Sequence, residues 1–470
     1  CNSFYPKMKL ENSFIDRLIS IVGKNNVIIH NALLEPYGRD YTEDLHFVPG
    51  CVVIPESPES VAAVLRCCND NHVPVYTRGA GTGLSGGCLP VKGGIVLSTE
   101  KLNRIIEIDR DNFQATVQPG VINEVFRSAV AEHGLYYPPD PASKGSCFLG
   151  GNIAHGSGGP RAVKYGTTRD YVLNLQVALP TGELIWTGAN TVKNSTGFNL
   201  TQLMVGSEGL LGVVTCIVFR LIALPASQLL LLVPFRTARE AAVAVNSVLL
   251  SGITPSALEL MEDSGVRISA EASNTPFPLY EGAEFYLLIE LDGESMEVLM
   301  QQAEKLFPIL EGCGGMDILP AESSALKDQW WKVRRGIGET VKQVSIYKEE
   351  DTVVPRAALP ELLTAVKEIG ARYGFQSVCY GHAGDGNLHV NILKNDLPEE
   401  IWEQEIPKAI REIFTVCRSL GGTISGEHGV GLVQKDYLDI VFTPEHFRIM
   451  QGIKDVFDPG HIMNPGKWLD

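Results

Sequence analysis

The chain reads as an α+β protein of two domains with a short tail, and three observations carry that reading. A strand, helix, strand unit in the first hundred residues ends in a glycine-rich turn, short alternating apolar stretches then run to about residue 213, and a new alternation of helices and strands begins after Pro225. The boundary falls between Leu224 and Pro234, which gives domains at residues 1–224 and 225–457 and a tail at 458–470 that holds two Pro and two Gly. A length of 470 residues suits two to four domains at roughly 100–200 residues each.

The elements follow in order. Asn12 or Ser13 can cap a helix whose Phe14, Ile15, Leu18, Ile19 and Val22 keep helical spacing until Gly23. A strand at Val52–Pro55, a helix opened by Ser57-Pro58-Glu59 and a strand at Val73–Thr77 form the βαβ unit. Strands are then predicted at Ile95–Ser98, Ile105–Asp109, Ala115–Gln118, Val172–Leu179 and Leu184–Thr187. In the second domain Thr237 and Glu240 stand at capping-box spacing before a helix to Ser251, and further helices are expected at Ser295–Leu310, Leu359–Tyr373 and Glu403–Leu420, with a strand at Glu284–Asp292. The apolar run Leu229–Val233 before Pro234 is too short to cross a bilayer and reads as a buried strand.

Composition excludes several function classes. With 39 Lys and Arg against 55 Asp and Glu, the net charge is −16, which opposes binding to nucleic acid or to an anionic membrane surface. The ten Cys form no Cys-x-x-Cys pair, so neither a disulfide framework nor an iron–sulfur or zinc-ribbon site is spelled out, and reduced, mostly buried thiols are expected. No signal peptide is apparent, and a start at Cys1 with Met8 downstream is compatible with processing. The compartment is left open, with a soluble protein of the cytoplasm or the periphery of the inner membrane expected.

Arg78 to Gly87 holds five glycines directly after a strand, and consecutive amides without Cβ atoms can converge on a phosphate. Gly81 to Gly86 spells Gly-x-Gly-x-x-Gly, but Cys88-Leu89-Pro90 leads toward another strand rather than a helix, which is not the Rossmann context. The segment alone could be a pyrophosphate loop of another fold or a flexible loop. Two further clusters decide between them: Pro138-Pro139-Asp140-Pro141 leading to Gly150-Gly151-Asn152-Ile153-Ala154, and Gly206-Ser207-Glu208-Gly209. Three segments of close backbone approach in one domain imply a long, flat ligand.

With these three motifs in this order, the sequence resembles the vanillyl-alcohol oxidase / p-cresol methylhydroxylase flavoprotein superfamily. The resemblance implies a two-subdomain FAD-binding domain of p-cresol methylhydroxylase type and an α+β substrate (cap) domain with an antiparallel sheet. It also implies FAD contacts at Arg78, Gly79, Gly81, Thr82, Gly83, Leu84, Ser85, Pro139, Asp140, Ser143, Gly150, Gly151, Ala154, Glu208, Gly209 and Val213. Because Arg78 to Gly87 contains no His, the FAD is expected to be non-covalent. The His155 that precedes Gly156-Ser157-Gly158-Gly159 departs from the family's usual Asn, and a packing or hydrogen-bonding role is expected of it.

The second domain carries the chemistry. In Tyr380-Gly381-His382-Ala383-Gly384-Asp385-Gly386-Asn387-Leu388-His389-Val390-Asn391, His389 and Asn391 share a strand face and the Gly-Asp-Gly turn can bring His382 alongside. Downstream, Ser425-Gly426-Glu427-His428-Gly429 places a Glu and a His between glycines. Two His and one carboxylate form a ligand set for Zn²⁺, Mn²⁺ or Fe²⁺ with positions left open for substrate or water.

Both segments resemble the D-2-hydroxyacid dehydrogenase branch, which holds D-lactate dehydrogenases, D-2-hydroxyglutarate dehydrogenases and the glycolate oxidase catalytic subunit. That resemblance implies a divalent metal, Zn foremost, on His382, His389 and Glu427, a substrate contact at Asn391, His428 as general base, and Asn464 returning to the flavin site. Its implied reaction is oxidation of a small D-2-hydroxy acid to the 2-oxo acid, with the hydride passing to flavin N5 and an external quinone, cytochrome or electron-transfer protein as acceptor. A homodimer or an association with an iron–sulfur subunit stays open.

Lys327 to Lys348 carries six cations against Asp328 and Glu339, either as a solvated helix face or as the source of a carboxylate-binding Arg334. By the same resemblance, Lys348 stands near the place where dicarboxylate-specific relatives are expected to carry a second cation, beside the acidic run Glu349-Glu350-Asp351. Gly338 stands where dicarboxylate-specific relatives are expected to carry a Thr, which favours lactate- or glycolate-sized substrates over 2-hydroxyglutarate. An O₂-reducing alcohol oxidase and a silent flavin-binding subunit are the alternatives.

Overall fold

In the computed structural model, which describes residues 10–42 and 45–469, the apolar runs Cys51–Val53, Ile95–Ser98 and Val75–Arg78 pair in parallel, with Val27–Ile28 antiparallel on the outer edge of Cys51–Val53. Cys1 and Met8 lie outside the described residues. Strands buried on both faces favour apolar sequence, and these three are buried at all but one residue, with the polar Arg78 and Ser98 at their ends. The helix Pro58–Asp70 covers one side, capped by Ser57, and packs Val61, Val64 and Leu65 into the core. At about 1.5–3 kcal/mol per buried aliphatic side chain, such contacts outweigh any single cap.

The tail takes part in this sheet. Met463 forms a parallel bridge with Val75, and Ile462 and Met463 join the same core. An antiparallel sheet of five strands, in the order Ile105–Asp109, Gln114–Val117, Val213–Arg220, Val172–Ala178, Leu184–Trp186, completes this unit.

The second unit is built on a seven-stranded antiparallel sheet, ordered Leu319–Pro320, Ser227–Phe235, Phe285–Gly293, Ala257–Glu262, Gln376–Gly381, Asn387–Leu393, Tyr347–Val353. Thr237 and Glu240 form the expected capping box on the helix Ala238–Leu250. The predicted helix Glu403–Leu420 is instead two helices, Glu399–Gln404 and Ile406–Ser419. Pro407 lacks an amide to continue the first, and it occupies the first turn of the second. The N-terminal helix Asn12–Val22 is preceded by Glu11 at its cap position, so neither Asn12 nor Ser13 caps it.

The two units break at Leu224/Pro225, but they exchange segments. The first comprises the chain up to Ser157, Thr167–Leu224 and Glu427 onward; the second comprises Gly158–Gly166 and Pro225–Gly426. The division at 457/458 expected from sequence is therefore corrected to Gly426/Glu427. Polar anchors explain both exchanges. Arg161 pairs with Glu290 at 2.8 Å, and Lys164 and Tyr165 bind Asp292, which fixes 158–166 to the large sheet. Glu208 holds the amides that follow Glu427 in the first unit. Among the described residues no helix is long and apolar enough to cross a membrane, and the nine described Cys are all free.

Candidate active site

In the first unit the glycine loop leaves the strand Val75–Arg78 and reaches no helix before Ile95. Gly81 and Gly86 adopt φ of +73° and +72°, which a side chain would strain, and a Cβ on Gly81 would lie 2.0 Å from Arg78 Nη2. Gly79, Gly81, Thr82, Gly83 and Leu84 are partly exposed, as are Ser143, Gly150, Gly151, Ala154 and Gly209. A Cβ on Gly151 would meet no atom within 4 Å, so the helix Leu149–His155 presents bare backbone to open space. The Ser85 Oγ is buried and has no hydrogen-bond partner among the described residues. Bare backbone and an orphaned hydroxyl fit a phosphate-bearing ligand.

Five residues expected to contact FAD have side chains with partners inside the protein. Arg78 folds back, its Nη1 and Nη2 donating to the Arg39 and Pro36 carbonyls at 2.7 and 3.2 Å, so it anchors the loop. Asp140 is fully buried with Arg127 3.7 Å away, and Val213 belongs to the apolar core. Asn464 accepts from the Thr77 amide and donates to the Glu208 carbonyl, at 3.2 and 2.7 Å. The Glu208 carboxylate accepts from the Val430 and Gly431 amides. In Arg78, Asp140, Asn464 and Glu208 the side chain meets a polar need inside the protein, and in Val213 an apolar one, which motif matching does not reveal.

His155 lies between the glycine loop and the turn at Gly429. Its ring is 3.5 Å from where a Cβ of Gly87 would stand, and its Nδ1 2.6 Å from that of Gly429. Lys467 was missed from sequence: its Nζ donates to the Gly86 and Leu89 carbonyls at 2.6 and 2.7 Å, and burial pulls its pKa down to about 8.

In the second unit strand register assembles the site. His389 pairs with Asp351 on one side and Tyr380 on the other, and Asn391 with Glu349 and Val378, so these side chains share one face. Leu260 pairs with Gly381, which brings Glu259 level with His382. The His382 and His389 rings stand 5.4 Å apart, near perpendicular, and both are buried.

The His382 Nδ1 lies 2.9 Å from the Glu259 carboxylate, so it carries the proton and Nε2 presents a lone pair. An imidazole oriented in this way suits a divalent metal. Asp351 accepts from Asn387 Nδ2, Ser425 Oγ and the Gly426 amide at 2.7, 3.1 and 2.7 Å. Chain continuity places Glu427 and His428 directly after that anchored glycine.

The helix Ser324–Val344 packs Trp330, Val333, Ile337 and Val341 against Val378 and Tyr380. Arg334 lies on this buried side, 5 % exposed, with Nη2 2.5 Å from Glu259 Oε2 and its guanidinium 4.9 Å from the centre of the Tyr380 ring. It is not part of a solvated face. Lys348 pairs with Ile392 and so faces away from His389 and Asn391; its ammonium sits 5.2 Å from the Trp402 ring. The substrate role expected of Lys348 is corrected on that ground. Burial, with the charge of Glu349 second, pushes the Tyr380 hydroxyl well above its usual pKa, so it stays protonated.

Glycine turns with bare backbone in one unit and a buried His, Arg and carboxylate cluster in the other suit an enzyme that uses a phosphate-bearing cofactor. The comparisons agree. A family model described as "FAD linked oxidases, C-terminal domain" matches residues 224–468, and one described as "FAD binding domain" matches 49–188. The chain belongs to the FAD-linked oxidase family and is an FAD-dependent oxidoreductase.

Among curated relatives, a D-lactate dehydrogenase of Anaerostipes hadrus is 37 % identical, with 99 % of each chain covered. A glycolate oxidase subunit GlcD of Bacillus subtilis is 36 % identical over 96 % of each. A D-2-hydroxyglutarate dehydrogenase of Stutzerimonas stutzeri is 33 % identical over 97 % of this chain and 98 % of its own. The solved structure of p-cresol methylhydroxylase with substrate bound aligns with a TM-score of 0.82 at 18 % identity, covering 99 % of this chain and 98 % of that one, a likeness of fold.

Proposed function

We propose that this protein oxidises a small D-2-hydroxy acid, of lactate or glycolate size, to the 2-oxo acid. The observation that carries the reading is the pair His382 and Arg334 on the buried carboxylate of Glu259, with the His389 ring 5.4 Å from that of His382 and Asn391 on the same strand face as His389. Relatives named D-lactate dehydrogenase and glycolate oxidase subunit support the substrate class.

In this reading His382, His389 and Glu427 hold a divalent metal, with Zn²⁺ the first choice and Mn²⁺ or Fe²⁺ the others. When bound, the metal polarises the 2-hydroxyl and the flavin accepts the hydride. The protein's own groups do the rest. Arg334, whose buried Nε has no hydrogen-bond partner among the described residues, binds the substrate carboxylate. Asn391 orients the substrate, and His428 takes the hydroxyl proton. Gly79, Gly81, Thr82, Gly83, Leu84, Ser143, Gly150, Gly151, Ala154 and Gly209 approach a non-covalent FAD. Electrons then pass to an external acceptor, a quinone, a cytochrome or an electron-transfer protein.

Lactate-sized substrates are favoured over 2-hydroxyglutarate by two features: Lys348 faces the wrong side of its strand, and the Tyr380 hydroxyl occupies the space beside Gly338. The test is anaerobic bleaching of the flavin by a panel of D- and L-2-hydroxy acids, with and without added metal. Bleaching by D-lactate or glycolate that chelation abolishes is expected. Bleaching only by longer dicarboxylates, or full bleaching after exhaustive chelation, overturns the substrate or the metal assignment respectively.

A further inference from the structure

We propose that Glu259 is a positioning residue for both halves of the second unit's site, fixing the tautomer of His382 and the place of Arg334 with one carboxylate. The inference rests on the metal and substrate reading above, and it assigns a role to a residue outside every motif that suggested that reading.

Glu259 is fully buried in the strand Ala257–Glu262, between Leu258 and Leu260, where an acid has no reason to be unless something needs its charge. Its two needs are visible. Arg334 Nη2 stands 2.5 Å from Oε2, and His382 Nδ1 stands 2.9 Å from both oxygens. The guanidinium neutralises the carboxylate, which permits its burial. The same carboxylate can only accept hydrogen bonds, so the neutral imidazole beside it must place its proton on Nδ1 and its lone pair on Nε2.

Arg334 is held on its other side by the Tyr380 ring, so it enters substrate binding already oriented. One residue thereby couples the metal ligand to the anion-binding cation: a change at Glu259 reaches both, although it touches neither metal nor substrate.

Substitution by Gln separates this role from simple charge balance. An amide must turn its oxygen to Arg334, so its NH₂ meets His382 Nδ1, which then carries the lone pair and moves the proton to Nε2. The experiment measures zinc affinity of the flavin-replete protein by competition with a chromophoric chelator, and pyruvate affinity by calorimetry, in wild type and E259Q.

The expected result is a zinc affinity about 10–100-fold weaker and a weaker pyruvate affinity, at an unchanged ratio of FAD to protein. Wild-type zinc affinity in a folded E259Q overturns the Glu259 assignment. A wild-type protein that holds no zinc, manganese or iron overturns the metal reading itself, a separate outcome. If E259Q does not fold, E259D keeps the charge but shortens its reach by one methylene: weaker zinc binding there supports the assignment, and wild-type affinity there overturns it.

Discussion

The Glu208 carboxylate accepts hydrogen bonds from the Val430 and Gly431 amides at 2.8 and 2.7 Å, tying the Gly-Ser-Glu-Gly turn to the segment that carries His428. Gly429 and Gly431 take φ of +79° and +49°, a turn that lets the Val430 and Gly431 amides converge on a single anion. Replacing Glu208 by Gln removes one acceptor and the charge, for a stability loss of about 1–3 kcal/mol. With His428 as the proposed proton acceptor, turnover in E208Q should fall at least about tenfold with flavin content unchanged, because the lost anchor holds the segment that carries it. Undiminished turnover in a folded E208Q would show that His428 needs no such support.

His428 itself gives a sharper measurement. A positioned general base contributes about 10²–10⁴-fold, so H428A should slow anaerobic reduction of the flavin by substrate by that factor. Flavin content should hold, since the hydrogen bonds from the Val430 and Gly431 amides to Glu208 do not involve this side chain. Flavin reduction at the original rate in H428A would remove the residue from the mechanism.

Periodicity placed most elements well because their apolar spacing is enforced by burial. The strands Ile95–Ser98 and Ile105–Asp109 and the helix Leu359–Tyr373 lie where the pattern puts them. The motifs of the candidate site were legible for the same kind of reason: glycine is required wherever backbone must approach closely, as at Gly81. What sequence could not yield is the partner of each polar side chain. Arg78, Asp140 and Asn464 sit inside or beside motifs yet spend their polar atoms on carbonyls, amides or another side chain far along the chain. Glu259 sits outside any motif and Lys467 ends the tail motif of Asn464 with no role read for it; only the strand register and the returning tail reveal them. Lys348 failed for a simpler reason: a strand alternates faces, and the register that decides its face is set by a strand some forty residues later.

Gly338 and Tyr380 form a pair whose sizes are matched. A Cβ on Gly338 would stand 2.5 Å from the Tyr380 Oη, and that hydroxyl belongs to a fully packed ring between Arg334 and His389. G338A should therefore cost about 1–3 kcal/mol through overpacking. Y380F removes the clashing oxygen, so the double variant should be more stable than the sum of the single effects predicts, by about 1 kcal/mol in a thermal-melting cycle. Additive effects would mean that the helix shifts to admit the methyl group.

Arg161 and Glu290 are both buried, and Glu290 also accepts from Trp331 Nε1 and Ser256 Oγ, each at 3.0 Å. Removing Arg161 leaves the Glu290 charge buried without its counter-charge, at a cost of about 3–5 kcal/mol. R161A should show that loss by chemical denaturation, along with faster proteolysis within 158–166, the segment the pair fastens to the sheet. A loss under about 1 kcal/mol would place the pair among exposed ones.

Lys467 makes stability depend on pH in an unusual direction. Burial is the largest cause of its depressed pKa, opposed by the nearby Cys88, Asp40 and Glu208 and reinforced by Lys435, and the outcome is a pKa of about 8 against 10.5 for an ordinary lysine. Below pH 8 folded and unfolded chains both carry the proton, and the full desolvation cost is present. Between pH 8 and 10.5 the unfolded chain binds more protons than the folded one, so the contribution to stability rises with pH. Cys88, pushed up to about 11 by burial, stays a thiol through this window, and the neutral amine can still donate to the Gly86 and Leu89 carbonyls. The stability of wild type relative to K467M should therefore improve by at most about 1.4 kcal/mol per pH unit between pH 8 and 10, and stay level from pH 6 to 7. Chemical denaturation of both proteins across that range measures it, and a difference that shrinks as pH rises is incompatible with a lysine titrating near 8.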